Sequence, residues 1–221
     1  MPWRSPPAPW HAEPGNASAI AVTTKVRAAI NRCLPENQEP SYGVTPDTVT
    51  ITPSVLYFGT PVVLIVTRNV DGSANITPMS SAWALGTRIV IGLAGTGHGV
   101  ANLLREGECT LNLAAAELWY KVEAIAHTTG RAPVPAEKAA RGFVHAGDKF
   151  ALGGFSPRAS ELVRPPRIGD CPLQLEARLV TLHGAQPEAA NEQTMRILEL
   201  DVVRVHAHRR VVVPGTSHID T

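Results

Sequence analysis

The feature that most constrains this chain is the unbroken apolar run Val62-Val63-Leu64-Ile65-Val66, closed by Thr67 and followed almost at once by Asp71-Gly72. Apolar, mostly β-branched residues at consecutive positions predict a strand buried on both faces. An Asp-Gly pair supplies the positive backbone dihedrals of a hairpin turn, so the chain should reverse and return as Ala74 to Trp83. A third strand is expected from Arg88 to Leu93.

The stretch Ala94-Gly95-Thr96-Gly97-His98-Gly99 leads into a short helix in which Val100, Leu103 and Leu104 make one apolar side and Gly107 takes the left-handed C-terminal position. Glu108 to Ala114 reads as another strand, and Leu118, Val122 and Ile125 are spaced along a helix that Gly130 should end. Period-two alternation is clearer later. Leu173, Leu175, Ala177 and Leu179 face one way, with Gln174, Glu176 and Arg178 opposite; Leu198, Leu200 and Val202 repeat the pattern. Strands bracket short helices without a regular strand-helix-strand rhythm, which favours a mostly antiparallel barrel with helices packed outside.

The first 16 residues hold Pro2, Pro6, Pro7, Pro9 and Pro14, and these interrupt the apolar stretch a signal peptide needs. Residues 1–50 are expected to form a proline-rich extension with a short helix from Ala19 to Leu34, and residues 51–221 the main domain. No export signal and a cytoplasmic location are expected. The net charge of +1 gives no basic field for nucleic acid or a membrane surface. No apolar run reaches the roughly 18 residues of a spanning helix. Cys33, Cys109 and Cys171 are too far apart for a metal motif and odd in number for a disulfide framework.

Four stretches, in this order and spacing, carry a family resemblance: Val55 to Thr67; Asp71-Gly72 with Asn75; Thr77 to Gly86 (TPMSSAWALG); and Asn102 to Leu113 (NLLREGECTLNL). The stretches from Asp148 to Ala177 and from Val202 to Asp220 are later landmarks of one subgroup. Over roughly residues 52 to 221 the chain resembles the flavin reductase-like, FMN-binding split-barrel family. The resemblance implies a mainly β (α+β) fold, an antiparallel Greek-key split β-barrel with short flanking helices, that forms a homodimer. It implies FMN as cofactor, FAD being the alternative, and NAD(P)H as co-substrate. Thr77, Pro78, Met79, Ser80, Ser81 and Ala82 would contact the ring and ribityl chain, with Gly95, Thr96, Gly97, His98 and Asn102 toward the phosphate. His145, Asp148 and Lys149 would lie near the nicotinamide nucleotide.

The residue types suit that use. A flavin needs a flat slot, backbone amides at its polar edge and small donors for its phosphate, and a glycine-rich turn before a helix presents free N–H groups to an anion. The family often has a threonine or serine just before this helix; Gly99 stands there, with Thr96 and His98 as substitutes. Members of the subgroup continue past Ile219-Asp220 with an aromatic-rich tail that this sequence lacks.

On the residues alone, Thr77 to Ala82 reads also as a serine-rich edge strand, the glycine stretch as a plain turn, and Asp148-Lys149 as a solvated pair. His206 and His208 share a strand face without a third ligand at metal spacing. Cys109 and Cys171 read as buried thiols, Trp119 and Tyr120 as core or dimer contact, and no serine occupies a nucleophile elbow. The expected activity is hydride transfer from NAD(P)H to flavin N5, with reduced flavin passed to a flavin-dependent monooxygenase. The alternatives are an FMN-dependent tailoring oxidoreductase on an organic substrate, or a flavin-binding protein without turnover.

Overall fold

The computed structural model describes residues 60–184 and 195–219. The expected N-terminal extension, its helix and Cys33 lie outside them. β1 (Val63–Arg68) is the doubly buried strand the sequence predicts. Val63 and Ile65 enter one apolar cluster with Ile91, Leu111, Leu198 and Leu200; Leu64 and Val66 enter a second with Ile125, Phe150, Phe155 and Ile168. The hairpin to β2 (Ala74–Met79) turns through Asn69 to Ser73, with Gly72 at φ 88°. The Asp71 carboxylate accepts from the Ser73 amide and hydroxyl, so a side chain braces the turn.

The expected returning strand is broken. After β2 the chain turns at Ser80-Ser81 and starts β3 (Ala82–Leu85), which pairs with β4 (Arg88–Ala94) rather than β1. Pro78 has no N–H to offer a further strand outside β2, and the tight turn at Ser80, where the Ala82 amide bonds the Ser80 carbonyl, redirects the chain. Then come α1 (His98–Glu106), capped by Gly107 at φ 69°, and β5 (Glu108–Leu113). α2 (Trp119–Ala126) ends four residues before Gly130, because Thr128–Thr129 pairs as β6 with β7 (Val144–His145). Short α3 (Ala136–Ala139) and α4 (Lys149–Gly153) flank that pair, and β8 (Pro157–Arg158) meets β9 (Arg167–Ile168). β10 (Leu173–His183) and β11 (Met195–Ala207) make the long final hairpin.

The large sheet runs β2-β1-β5-β10-β11-β4-β3, every pair antiparallel. Its two outer strands are consecutive in the chain and joined only by Ser80-Ser81. A sheet whose opposite edges are tied by two residues must curl until they meet, and here they meet without pairing. This is the expected split barrel: the first apolar cluster fills its interior, and α2 and α4 cover the outside of β1 and β2 through the second.

Glu176 corrects the period-two reading, which put it on the solvent face. It is fully buried and accepts from the backbone N–H groups of Glu161 (2.9 Å), Leu162 (2.6 Å) and Val163 (3.2 Å), with His206 Nε2 at 2.7 Å. The segment between β8 and β9 closes over it. Burial by itself would raise its pKa, but these hydrogen bonds outweigh that and hold it below the ordinary glutamate value. Thr110 and Asn112 of β5 are buried alike, bonding Pro166 O, Leu64 O and the Ile168 amide. Trp119 and Tyr120, read as core or dimer contact, are exposed.

Candidate functional site

Two grooves meet where the barrel fails to close. The first, about 350 Å³, runs along β2 and the serine turn, lined by Thr77, Pro78, Met79, Ser80 and Ser81 on one side. Gly92, Leu93 and Ala94 of β4 and the start of α1 form the other side. That volume is at the lower end of small-molecule sites, roughly 300–1,000 Å³. The second groove, about 170 Å³, continues past the start of α1 between Asn75, His98, Thr128 to Gly130, Phe143 and Lys149. Thr77, Pro78, Gly97, Gly99 and Lys138 line both.

Glycines keep the shared wall thin. A Cβ on Gly97 would lie 3.1 Å from the Ala94 carbonyl oxygen, and one on Gly99 only 2.6 Å from Thr77 Oγ1. The Thr77 hydroxyl thus fills the place in which a position-99 side chain would begin, which accounts for glycine where the family often carries a hydroxyl. At Gly130 a Cβ would collide with the His98 ring and with Asn75 Oδ1. α1 has no side-chain N-cap and no acid in its first turn, and its start, Gly97 to Val100, lines the grooves.

A polar relay fixes His98. The Asp71 carboxylate can only accept, so the Ser73 hydroxyl proton goes to it (2.6 Å), and Ser73 Oγ then accepts from Asn69 Nδ2 (2.9 Å). That orients Asn69 Oδ1 toward His98 Nε2 (2.9 Å) and Asn102 Nδ2 (2.7 Å). An amide oxygen cannot donate, so Nε2 carries the hydrogen. Burial, and after it the charges of Lys149, Arg131, Arg105 and His145, hold His98 below the ordinary histidine range. It is neutral at pH 7 with Nδ1 unprotonated.

Lys149 is buried at the start of α4, its Nζ donating to the Ile76 carbonyl on the free edge of β2 (2.9 Å). Burial, then Lys138, pulls its pKa down to about 8. Asn75, 2% exposed, donates Nδ2 to Thr77 Oγ1 (3.1 Å), while its Oδ1 has no partner among the described residues. Thr96 Oγ1 is likewise buried and unsatisfied.

Of the residues expected from sequence, the grooves gather Thr77, Pro78, Met79, Ser80, Ser81, Gly97, His98 and Lys149. Ala82 lines a different, apolar cavity of about 350 Å³ with Trp83, Ile89, Leu113 and Val205. Gly95 and Thr96 form the turn behind the grooves. Asn102 is buried beneath them, tying α1 to Thr67 and Asn69 of the β1 end. His145 is exposed and bonds the Arg131 carbonyl, and Asp148 caps α4 through the Ala151 amide. Sequence reading missed Asn75, Gly130 and Lys138 as lining residues. Asn75 was detectable, since it shares a strand face with Thr77 at period two; Lys138 comes from a distant turn with no motif.

His206 bonds Glu176 and His208 caps a turn through the Arg210 amide; no group of three or more metal-ligating side chains occurs among the described residues. Cys109 and Cys171 are free, buried thiols, each pushed up to about 12, chiefly by burial. No helix of the described residues is long and apolar enough to cross a membrane.

Fold and grooves together define a split-barrel protein with two joined grooves at its seam. The chain belongs to the flavin reductase like domain family, whose model matches residues 55–214. It is 37% identical over 170 residues to the uncharacterized protein YdfE of Bacillus subtilis strain 168, covering 77% of this chain and 80% of that one. Among solved structures it is similar to the flavoredoxin of Desulfovibrio vulgaris (Miyazaki F), with TM-score 0.59, 17% identity, and 76% and 80% of the two chains covered. It is also similar to nitrilotriacetate monooxygenase component B from Bacillus cereus, with TM-score 0.58, 15% identity, and 78% and 87% covered. At these identities the structural likeness shows the fold.

Proposed function

We propose that this chain binds a flavin along Thr77 to Ser81 and reduces it with NAD(P)H. The observation that carries the reading is the seam groove itself. A strand edge with free backbone groups and three small hydroxyl side chains faces a wall of glycine and alanine, and the slot runs directly to an uncapped helix start. The chain's residues fit FMN on their own terms: the small residues Gly92, Ala94, Gly97 and Gly99 line the slot and let β4 and α1 approach β2 closely, and Asn75 holds a buried polar atom without a partner among the described residues. Membership in the flavin reductase like family supports the same ligand.

Bound flavin supplies a two-electron acceptor for hydride, so the protein's task is orientation more than acid-base chemistry. Thr77, Ser80 and Ser81 bind the ribityl side and polar edge of the ring. Lys149 holds the β2 edge in place through the Ile76 carbonyl, and Lys138, with the start of α1, supplies positive potential for phosphate. The nicotinamide enters over the exposed side of the groove, near His145 and Lys149. We place the protein in the cytoplasm and its reduced flavin with a monooxygenase partner, a pairing that the name of the Bacillus cereus neighbour suggests.

We further propose a homodimer built on β3, where Trp83 and Leu85 are 61% and 75% exposed beside the apolar cavity. The test of function is an absorbance titration with FMN, then anaerobic NADH and NADPH. Bleaching of bound flavin by either nucleotide is the expected result. Binding without bleaching would sink the reductase assignment and leave FMN-dependent chemistry on an organic substrate.

A further inference from the structure

The second groove combines features that point to one kind of ligand atom. No lining residue is a carboxylate, while Lys138, Lys149 and His98 all border it. The nine-residue helix α1 starts at it, without a side-chain N-cap and with Gly97, His98 and Gly99 in the lining. Asn75 adds an independent sign. It lines the groove with its side-chain amide buried and its Oδ1 unpartnered beside Gly130 of the facing wall, and a half-turn of that amide would let Thr77 donate to Oδ1 and turn Nδ2 toward that wall as a donor. Donors, positive potential and no acid describe a phosphate site.

His98 is the anomaly there, because its free ring nitrogen is a lone pair, which repels a phosphate oxygen. Burial is the first cause of its neutrality, and after it come the charges of Lys149 at the start of α4, Arg131 after β6, Arg105 at the end of α1 and His145 of β7. Lys138 of α3 lines the same space. An entering dianion offsets these charges together.

We propose that His98 takes up a proton on Nδ1 when a ligand phosphate enters the second groove, which makes it the residue that selects phosphorylated over unphosphorylated ligand. The proton comes from solvent, Nδ1–H then donates to a phosphate oxygen, and Nε2–H stays on Asn69. The geometry suits the change. Asn69 Oδ1 accepts from Nε2 in either charge state, so the ring need not turn, and the Asp71-Ser73-Asn69 relay prevents the tautomer with hydrogen only on Nδ1. The inference rests on the flavin reading for its first ligand, the 5′-phosphate of FMN. The phosphates of a nicotinamide nucleotide share the chemistry.

The test compares FMN with riboflavin by calorimetry of the full chain in phosphate-free buffers. Between about pH 7 and 8.5 the phosphate of FMN is already a dianion, its second ionisation lying near 6. FMN affinity should then fall by up to about tenfold per pH unit, with net proton uptake, while riboflavin affinity stays level. His98→Gln should flatten the FMN profile, and in labelled wild-type protein FMN should carry the His98 titration upward through that same pH window, since the slope lasts only between the free and the bound values. Ser73→Ala should shift the His98 ring-nitrogen resonances toward a mixture of tautomers, a readout that mere packing would not move.

FMN binding that is level with pH overturns the proposal, and so does a slope that survives His98→Gln, which would assign the proton to Lys149. If neither flavin binds, the flavin reading itself falls, and inorganic pyrophosphate and NADPH become the probes. An upward shift of His98 with either keeps the proton link and assigns the groove to a nucleotide phosphate; no shift with any probe ends it.

Discussion

Thr77 Oγ1 lies 2.6 Å from the point where a Cβ on Gly99 would be built, so the hydroxyl of β2 and the second residue of α1 share one space. Only one can carry a side chain there. The contact also fixes how closely α1 approaches the β2 edge, and therefore where the two grooves join.

Gly99→Ala should be destabilising by about 1–3 kcal/mol, as overpacking of a close contact is, despite the better helix propensity of alanine. FMN binding should weaken with it. Adding Thr77→Ala should return part of the stability, with a coupling of about 0.5–3 kcal/mol in a double-mutant cycle measured by urea unfolding. Strictly additive losses would show that the two residues do not compete.

Glu176→Gln should cost about 1.5–3 kcal/mol, because a carboxylate oxygen serving two backbone N–H groups is replaced in one orientation by an amide nitrogen that cannot accept. The folded pKa is depressed, so the stabilisation is complete above the unfolded value of about 4.3 and is lost as pH falls through the lower folded value. Urea midpoints measured downward from neutral pH should show an acid-side decline that is smaller in the variant.

Lys149→Met should cost about 1–3 kcal/mol by leaving the Ile76 carbonyl unpaired in a buried position. The native lysine has the same pH sense as Glu176 in a higher window, though here the rise relieves the penalty of a buried charge. Its folded value of about 8 lies below the unfolded value of about 10.4, so its contribution becomes more favourable as pH rises between them. Chemical denaturation from pH 7 to 10 should show that rise in the native chain and not in the variant.

Trp83→Ser together with Leu85→Ser should leave the fold intact, since both side chains are largely exposed, and shift the mass measured by light scattering from dimer toward monomer. A native chain that runs as a monomer at all concentrations would remove the dimer proposal.

The sequence made the barrel legible where burial is local in character. The run at β1, the glycine that ends α1 and the alternation in β10 and β11 each announced their element. The break at Ser80-Ser81 was hidden because Ala74 to Trp83 reads as one strand until its two halves are seen to pair on opposite edges. Glu176 was misplaced because period-two alternation records which residues share a face, and the segment that covers this face lies elsewhere in the chain. The site was half legible for the same reason. Thr77 to Ser81 are contiguous and announce a polar edge, whereas Lys138 and Gly130 reach the grooves through a fold-level return of the chain.

The two-residue link at Ser80-Ser81 also acts as a leash. From Met79 to Ala82 the backbone can span at most roughly 11 Å when fully extended. However the barrel breathes, its lips cannot part beyond that reach at this end, so the flat guest proposed above would be held by a covalent limit rather than by a lid. Cutting the peptide bond between the serines would leave every strand ladder intact and remove the grip, turning a slot of fixed gauge into an open sheet edge.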